Sequence, residues 1–274
     1  MNPIFAAMTM RLVATAGAAR RDRLRLAALP RIGGMSSIPT RAADLEQVLA
    51  RIVPQVERLY LFLHGYAEIP AAARHSRIVP ILAPVDTPFR ASGKFYGLLQ
   101  QPLPCLYFCF DDDILYPPEH VARLTAAILR YGGRAVVGIH STNYLGPAAR
   151  YARDRKVRHF ASRLRFDKVT DELGCGTLAF PSQLLSFDPR RWPHGDMDDL
   201  MLAIEAERHG VPRIAIRRPR RSLVPIRQDQ PDSLWVRTLA DDSRHSAQLV
   251  ELQTLMGRIK PGDAPAPPVE AAAR

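Results

Sequence analysis

The feature that most constrains the fold is an alternation of amphipathic helices and short apolar strands through the middle of the chain. Residues 41–53 carry apolar side chains at the spacing of one helix face, and the next apolar run, RLYLFLHGY, has the length and glycine ending of a buried strand. Two further strand-like runs, RIVPIL and CLYFCF, precede a second amphipathic helix at about 121–129 and the strand-like run RAVVGIH. This alternation predicts an α/β fold whose mostly parallel sheet is flanked by helices on both faces.

Polar residues follow three of these predicted strands at the point where each one ends. They are His64, the triplet Asp111 to Asp113, and His140. Since the carboxyl ends of parallel strands meet at one edge of a sheet, where α/β proteins bind their ligands, we expect these side chains on one rim. His140 and His159 have no second His or Cys at a metal-ligand spacing, so we interpret both as polar or structural residues.

The three consecutive aspartates raise a question of charge. Neighbouring carboxylates raise one another's pKa unless a cation lies among them, and a divalent ion with oxygen ligands is the usual compensator. In an extended segment Asp111 and Asp113 point to the same side, which makes them candidate ligands for Mn²⁺ or Mg²⁺ bound together with a substrate diphosphate. Asp112 is then free to contact a sugar or ribose hydroxyl. The alternative, acids favoured at a helix N-terminus, fits poorly because Pro117-Pro118 opens that helix several residues later.

Two other segments carry polar groups that suit a binding site. The segment LGCGTLAFPS places Gly174, Gly176 and Thr177 before an apolar strand, where glycines let the backbone approach a bound ligand closely or simply form a tight turn. In GDMDDLMLAIEAERHG, Asp198 and Asp199 begin a helix, and capping explains one of the two acids.

The net charge of the 274-residue chain, +11, favours an anionic partner such as a nucleotide, a phosphorylated carrier, nucleic acid or an acidic membrane face. Residues 208–227 hold seven arginines and no acid. This run can offset the charge of a leaving diphosphate, bind an anionic acceptor, dock on an acidic membrane leaflet, or remain a solvated face.

Near the C-terminus, Asp241, Asp242 and His245 belong to a segment that we regard as a candidate lid over the site.

The cysteine pattern and the two ends of the chain suggest a cellular compartment and a domain organisation. Three cysteines without a CxxC pair predict reduced, buried thiols in a cytosol, and no apolar run approaches the roughly 18 to 20 residues of a membrane span. We therefore expect a cytoplasmic protein, with peripheral contact at the inner face of the membrane left open. Residues 1–31 are interpreted as an Ala/Arg-rich N-terminal extension rather than a targeting leader, residues 32–259 as one domain, and residues 260–274 as a disordered tail.

Seven segments resemble, in the same order, those of bacterial glycosyltransferases with the GT-A fold, close to the family-2 type. They are MSSIPTR, LFLHGY, GKFYGL, YFCFDDDILYPPEHVARL, AVVGIHS, GCGTLAF and MDDLMLAIEAERHGVP. The resemblance as a whole covers residues 32–253. The DDDI-x-YPP block followed by a distal acidic pair is the most specific of these. The chain differs from the family pattern at Gly33-Gly34, where the first strand is usually more apolar, and at His64, where relatives tend to have Asn.

This resemblance implies a GT-A-like, metal-dependent and inverting transferase that moves a sugar from a nucleotide-diphosphate donor to a hydroxyl of a glycan or lipid-linked acceptor, in bacterial capsule or surface polysaccharide synthesis. Its implied site residues can be grouped by role. On the nucleotide side are Ser37, Pro39, Arg41, Lys94 and Asp112; the metal ligands are Asp111 and Asp113; the sugar or acceptor side is Gly174, Gly176 and Thr177; and the general base is Asp199, with Asp198 beside it.

Each implied role has an ordinary structural alternative. The Ser37 to Arg41 loop can be a simple turn, and Lys94 can be a solvated surface residue. If Lys94 instead serves the nucleotide, its ammonium meets phosphate or an acid such as Asp86, and its loss should leave the melting temperature nearly unchanged.

Two other function classes remain as alternatives. A D-x-D motif after a buried strand also begins haloacid-dehalogenase-type phosphatases, but these expect Thr or Val where this chain has Leu115. A basic nucleic-acid-binding module would account for the net charge of +11. It leaves the acidic triplet unexplained, because carboxylates on the binding rim would repel phosphates, and we therefore expect no specific nucleic acid.

Overall fold

The computed structural model describes residues 20–147, 149–226 and 233–260. Its helices are α1 (residues 20–27), α2 (Ala42–Ile52), α3 (Tyr96–Gln100), α4 (His120–Arg130), α5 (Asp198–Arg208), α6 (Leu234–Ala240) and α7 (Ser243–Leu255). Its strands are β1 (Arg31–Ser37), β2 (Arg58–His64), β3 (Ile78–Ala83), β4 (Leu106–Asp111), β5 (Ile114–Leu115), β6 (Val136–Gly138), β7 (Ser141–Tyr144), β8 (Arg155–Arg158), β9 (Lys168–Val169), β10 (Glu172–Leu173), β11 (Leu178–Pro181), β12 (Arg213–Ala215) and β13 (Val224–Pro225).

Eight strands form the central sheet in the order β3-β2-β1-β4-β11-β6-β12-β9. Four pairs of strands are parallel: β1 with β2, β2 with β3, β1 with β4, and β6 with β12. Strands β11 and β9 are antiparallel to their neighbours. Two small sheets, β10-β7-β8 and β13-β5, flank it. The predicted α/β class with a mostly parallel sheet is therefore confirmed.

Helices cover both faces of this sheet, as the alternation predicts. On one face, α2 and α4 bury Leu45, Val48, Leu124 and Ile128 in a core that continues into β1, β2 and β4. On the other face, α5 and α7 contribute apolar side chains to a second core with β4, β6 and β11. Because both faces are buried, the parallel strands β2 and β4 are apolar over nearly their whole length, which is why they appear in the sequence as continuous apolar runs.

The two glycines of β1 allow a neighbouring segment to approach the sheet closely. A Cβ atom at Gly34 would lie 2.0 Å from the carbonyl oxygen of Lys94 and 2.2 Å from the Tyr107 hydroxyl. That hydroxyl donates a 2.6 Å hydrogen bond to the same Lys94 carbonyl. The departure from a more apolar first strand thus brings the Lys94 segment onto the sheet, beside the end of β4.

Parts of the predicted chain ends lie outside the described residues. Residues 1–19 of the N-terminal extension and residues 261–274 of the tail are among them, so the predicted domain boundaries stay predictions. In the described part of the extension, residues 20–27 form α1, from which Leu26 packs against the first core, and Arg31 begins β1. None of the described helices has the length and apolar content that a bilayer span requires. Cys105, Cys109 and Cys175 are free and buried.

Candidate active site

The candidate site lies at the carboxyl-terminal edge of the parallel strands. Asp111 is the last residue of β4 and Ser37 the last residue of β1, and His140 follows β6 by two positions. Two adjoining clefts open here, of about 310 and 580 Å³, and both are lined by Asp111, Asp113 and Asp199. His64 ends β2 on the same rim, but it lines neither cleft.

Lys94 lies buried between two carboxylates of this edge. Its Nζ is 2.5 Å from Asp111 Oδ1 and 2.8 Å from Asp198 Oδ2. Burial by itself would lower the pKa of Lys94, but the charges of Asp111 and Asp198 raise that pKa well above its usual value. The acid partners of Lys94 are therefore these two residues and not the exposed Asp86, and the alternative of a solvated surface lysine is wrong.

Arg41 provides a second cation for the acidic triplet. Its Nη1 lies 3.1 Å from Asp113 Oδ2, and the arginine side chain is 8% exposed while that of Asp113 is 38% exposed. Pro39 opens the 3₁₀ turn Pro39–Arg41 that carries Arg41 to this position. Burial and the neighbouring Asp111 raise the pKa of Asp113 to about 6, against the lowering effect of Arg41. Two buried cations thus compensate part of the charge that the sequence concentrates after β4.

Asp112 faces the first cleft and the loop after β1. Burial raises the pKa of its carboxyl to about 7, although a hydrogen bond from Ser37 acts in the opposite direction. The Ser37 hydroxyl also lies 3.1 Å from the hydroxyl of Tyr66. Ser37 and Pro39 belong to this loop but do not line the cleft, whereas their neighbours Ser36 and Ile38 do.

Asp198 and Asp199 lie in the first turn of α5, whose N-cap is Met197. Neither acid is therefore the cap, and each has a different partner. Asp198 pairs with Lys94, while Asp199 Oδ1 accepts a 2.6 Å hydrogen bond from the backbone N–H of Cys175. Burial and the charges of Asp198 and Glu172 raise the pKa of Asp199 well above its usual value. Asp199 borders both clefts, so it is placed to accept a proton from a group bound in either.

The loop of residues 174–177 contacts the acidic triplet directly. A Cβ atom at Gly176 would lie 1.8 Å from Asp111 Oδ2, so only glycine fits there without displacing that carboxylate. The Tyr116 hydroxyl donates a 2.6 Å hydrogen bond to the carbonyl of Gly176 and accepts a 2.8 Å bond from the backbone N–H of Asp111. Thr177 Oγ1 accepts from the backbone N–H of His140 at 2.9 Å. Tyr116 belongs to the DDDI-x-YPP block, yet the sequence does not indicate this role.

The predicted residues divide between the two clefts. Arg41, Lys94 and Asp112, predicted for the nucleotide, line the first cleft, although Arg41 also reaches the second. Gly174, Gly176 and Thr177, predicted for the sugar or acceptor, line the second together with His140 and His159. The rings of these two histidines lie 5.4 Å apart, and burial lowers the pKa of His140 to about 3.

Several residues of the second cleft are not indicated by any sequence motif. The guanidinium of Arg155 lies 4.2 Å from the ring centre of Trp235 and 5.2 Å from that of Tyr151. Glu172 is buried and accepts a 2.7 Å hydrogen bond from the Tyr144 hydroxyl. Their neighbours in sequence are ordinary strand and loop residues, so only spatial proximity reveals them.

The candidate lid segment contributes some of its residues to the first cleft. Trp235, Thr238 and His245 line it, and the rings of His245 and Tyr151 lie 4.7 Å apart. Asp242 instead accepts a 2.9 Å hydrogen bond from the backbone N–H of Ala152, and Asp241 accepts from Ser243. The two acids therefore fasten the ends of α6 and α7, while the aromatic and histidine side chains of this segment border the site.

Among the residues that the structure describes, we consider two groups as possible ligands of a metal ion. Asp111 and Asp113 present carboxylate oxygens that are about one third exposed, toward both clefts, which suits a hard divalent cation. Ligand atoms of Cys175, Asp198 and Asp199 also lie within 4.8 Å of one another. However, burial raises the pKa of the Cys175 thiol, and Asp198 already binds the Lys94 ammonium. Asp111 and Asp113 are therefore the better fit for Mn²⁺ or Mg²⁺.

Glu172 should make the stability of the protein depend on pH. Burial raises its pKa from 4.5 to about 7, so the folded state favours the protonated acid, and stability is lost as the pH rises through 7. The difference corresponds to roughly 3 kcal/mol at pH 8. Glu172→Gln should therefore raise the free energy of unfolding at pH 8 and change it little at pH 4.5, as measured by urea unfolding. Glu46→Gln, on the exposed face of α2, is the control; equal effects of Glu172→Gln at both pH values would contradict the assignment.

Comparisons with known proteins show a distant likeness to solved structures. No protein-family model matches the chain, and no curated protein is similar to it at a significant level. Among solved structures, the chain is similar to the mannosyltransferase PcManGT from Pyrobaculum calidifontis in complex with GDP-Man and Mn²⁺. The identity is 15% and the TM-score 0.45, over 93% of this chain and 76% of that chain. At this identity and TM-score, neither the activity nor the site residues of that enzyme can be assigned to this chain.

Proposed function

We propose that this protein is a GT-A-like glycosyltransferase that moves a sugar from a nucleotide-diphosphate donor to a hydroxyl acceptor. The observation that carries this proposal is the position of Asp199 at the border of two adjoining clefts, next to the carboxylates of Asp111 and Asp113. A transferase needs one site for the donor, one for the acceptor, and a base where they meet. The alternation of strands and helices and the motif order in the sequence support the same class.

The donor's diphosphate belongs in the first cleft, where the loop after β1 and the cations Arg41 and Lys94 face the acidic triplet. The acceptor belongs in the second cleft, beside Gly174 and Gly176 and the aromatic ring of Trp235. Aromatic and glycine surfaces suit the flat, partly apolar faces of a sugar ring. The acceptor is a glycan or a lipid-linked sugar, and we place the reaction in bacterial polysaccharide synthesis in the cytoplasm.

The chemical step follows from this placement. The acceptor hydroxyl attacks the anomeric carbon of the donor, Asp199 takes its proton, and the bond from that carbon to the diphosphate oxygen breaks. The raised pKa of Asp199 brings this carboxylate closer to the range in which a general base is effective. Its hydrogen bond from Cys175 keeps one oxygen occupied and leaves the other for the proton. Displacement from the opposite side in a single step inverts the anomeric centre.

A divalent cation fits the oxygen atoms of Asp111 and Asp113, as argued above. When bound there, it supplies positive charge for the departing diphosphate. Lys94 and Arg41 hold the two carboxylates in place from the buried side. The phosphatase alternative gives no role to Asp199 or to the second cleft, which is why we favour the transferase.

Nucleotide binding tests this proposal without knowledge of the sugar. UDP, GDP, ADP and TDP are each added to the purified protein with Mn²⁺ or with EDTA, and the melting temperature is measured. Since a ligand at 100 times its Kd stabilises the native state by about 2.7 kcal/mol, we expect at least one nucleotide to raise the melting temperature with Mn²⁺ and not with EDTA. Asp113→Asn should remove this shift while the protein stays folded.

A control variant and a measurement of transfer activity complete this test. Glu68→Gln, away from both clefts, is the control and should keep the nucleotide shift. Transfer activity, measured with a panel of nucleotide sugars, should be lost in EDTA and restored by Mn²⁺ or Mg²⁺. Activity that persists in EDTA would rule out the metal role, and the absence of any nucleotide shift would rule out the transferase.

A further inference from the structure

A cluster of basic residues lies at the far edge of the central sheet, outside the two clefts. The segment of residues 163–169 leads into the edge strand β9, and the residues after β12 and the side of α4 pack beside it. We define the basic edge as Arg163, Arg165, Lys168, Arg217 and Arg220, all of which are exposed. In the parts of the chain that the structure describes, no carboxylate forms an ion pair with the side chains of Arg163, Arg165 or Arg220.

Two large apolar side chains project from the same segment. Phe166 is 70% exposed and Val169 is 71% exposed; Phe166 follows Arg165 in the sequence, and Val169 follows Lys168. Exposed apolar side chains next to basic residues are typical of surfaces that bind at the boundary of a lipid bilayer. The positive charges alone could bind any polyanion, whereas Phe166 and Val169 favour a partner with an apolar interior.

The one acid of the segment serves to hold it in position. Asp167 accepts hydrogen bonds from Arg130 at 2.5 Å, from the Tyr131 hydroxyl at 2.7 Å, and from the backbone N–H of Arg217 at 2.6 Å. These bonds lower the pKa of Asp167 against the opposing effect of burial, so its charge is already compensated within the protein. The segment is thus fastened to α4, with its positive charges and Phe166 directed outward.

The basic edge is connected to the second cleft. The buried guanidinium of Arg218 donates to the carbonyls of Arg158 and His159 at 2.8 and 2.9 Å, and Leu164 pairs with Arg218 through the backbone. His159 lines the second cleft. A partner bound at the basic edge therefore lies beside the wall of the cleft that we assign to the acceptor.

From this arrangement we propose that the basic edge docks the protein on a bilayer containing anionic phospholipids. The arginines and Lys168 attract the negative headgroups, and Phe166 and Val169 enter the headgroup boundary. This docking surface combines the segment of residues 163–169 with Arg217 and Arg220, which belong to the arginine-rich run at 208–227. Bilayer binding is a separate property from sugar transfer, so a negative result in the test of one proposal does not contradict the other.

Vesicle sedimentation tests the docking surface. The full chain is mixed with vesicles of phosphatidylcholine alone or with 30% phosphatidylglycerol (roughly the anionic content that gives a strong surface potential). We expect binding only to the anionic vesicles, and weaker binding at high salt. Arg163→Gln, Arg165→Gln and Arg220→Gln together should weaken binding roughly 100-fold, at about fivefold for each charge. The control combines Arg58→Gln, Arg74→Gln and Arg191→Gln, which remove the same charge elsewhere and should have little effect.

A second pair of variants separates a bilayer from nucleic acid. Phe166→Ser should weaken vesicle binding roughly tenfold, because apolar insertion is lost, and leave binding to random double-stranded DNA unchanged. Val85→Ser, which removes an equally exposed apolar side chain elsewhere, is the control. Equal losses in the two triple variants, equal binding to neutral and anionic vesicles, or DNA binding without vesicle binding would each overturn the proposal.

Discussion

Lys94→Met should lower the free energy of unfolding by about 3 to 5 kcal/mol, the usual cost of removing one member of a buried ion pair. The ammonium lies 2.5 Å from Asp111 and 2.8 Å from Asp198, and its side chain is only 5% exposed. Without it, two neighbouring carboxylates lose their shared cation. Urea unfolding at pH 7.5 measures the change. The sequence alone predicts little effect on stability, because a nucleotide-binding lysine is expected to face solvent.

Two further variants make the interpretation of Lys94 specific. Lys168→Met removes an exposed lysine and should change stability by less than about 0.5 kcal/mol. Adding Asp198→Asn to Lys94→Met should recover part of the loss, because one uncompensated charge disappears together with its partner. A double variant as unstable as the sum of the single variants would show that the ion pair does not account for the effect.

Asp199→Asn should reduce kcat roughly 10²-fold to 10⁴-fold, the range attributed to general base catalysis. The amide oxygen of Asn can still accept the hydrogen bond from Cys175, so the loop of residues 174–177 should keep its position. The donor KM and the free energy of unfolding should therefore change little. Initial rates with the nucleotide sugar identified in the panel, together with urea unfolding, provide the measurements.

The neighbouring acid offers the matched control. Asp198→Asn weakens an ion pair of Lys94 and should lower stability, while kcat should stay within about tenfold of the wild-type value. If the large loss of kcat appeared in Asp198→Asn instead, the base would be Asp198. If both variants kept full activity, the acidic pair would be structural and the proposed mechanism would be wrong.

Much of the architecture could be predicted from local patterns. The apolar run at 106–110 and the helix face at 42–52 depend on neighbours a few residues away, and such periodicity survives in a single sequence. The position of the acids at the end of β4 follows from the same reasoning, because parallel strands bring their carboxyl ends to one edge. The class of fold and the edge that carries the site were accessible for this reason.

The partners within the site could not be predicted in this way. Arg41 meets Asp113 across 72 positions of the chain, and Tyr116 meets Gly176 across 60. Nothing in the local pattern selects one arginine among so many, or distinguishes Asp198 from Asp199. Glu172 and Arg155 lie in segments without any motif, and only their approach to Tyr151 and Trp235 places them in the second cleft.

By itself, the sequence determined the succession of strands and helices and the placement of three carboxylates at the end of a buried strand. The tertiary structure decided which cations compensate those carboxylates, which acid of the distal pair remains available, and where the basic edge exposes Phe166. The physical reason is that hydrophobic periodicity is encoded among near neighbours. Charge compensation and desolvation, in contrast, depend on atoms that come within a few ångströms only after distant segments have packed together.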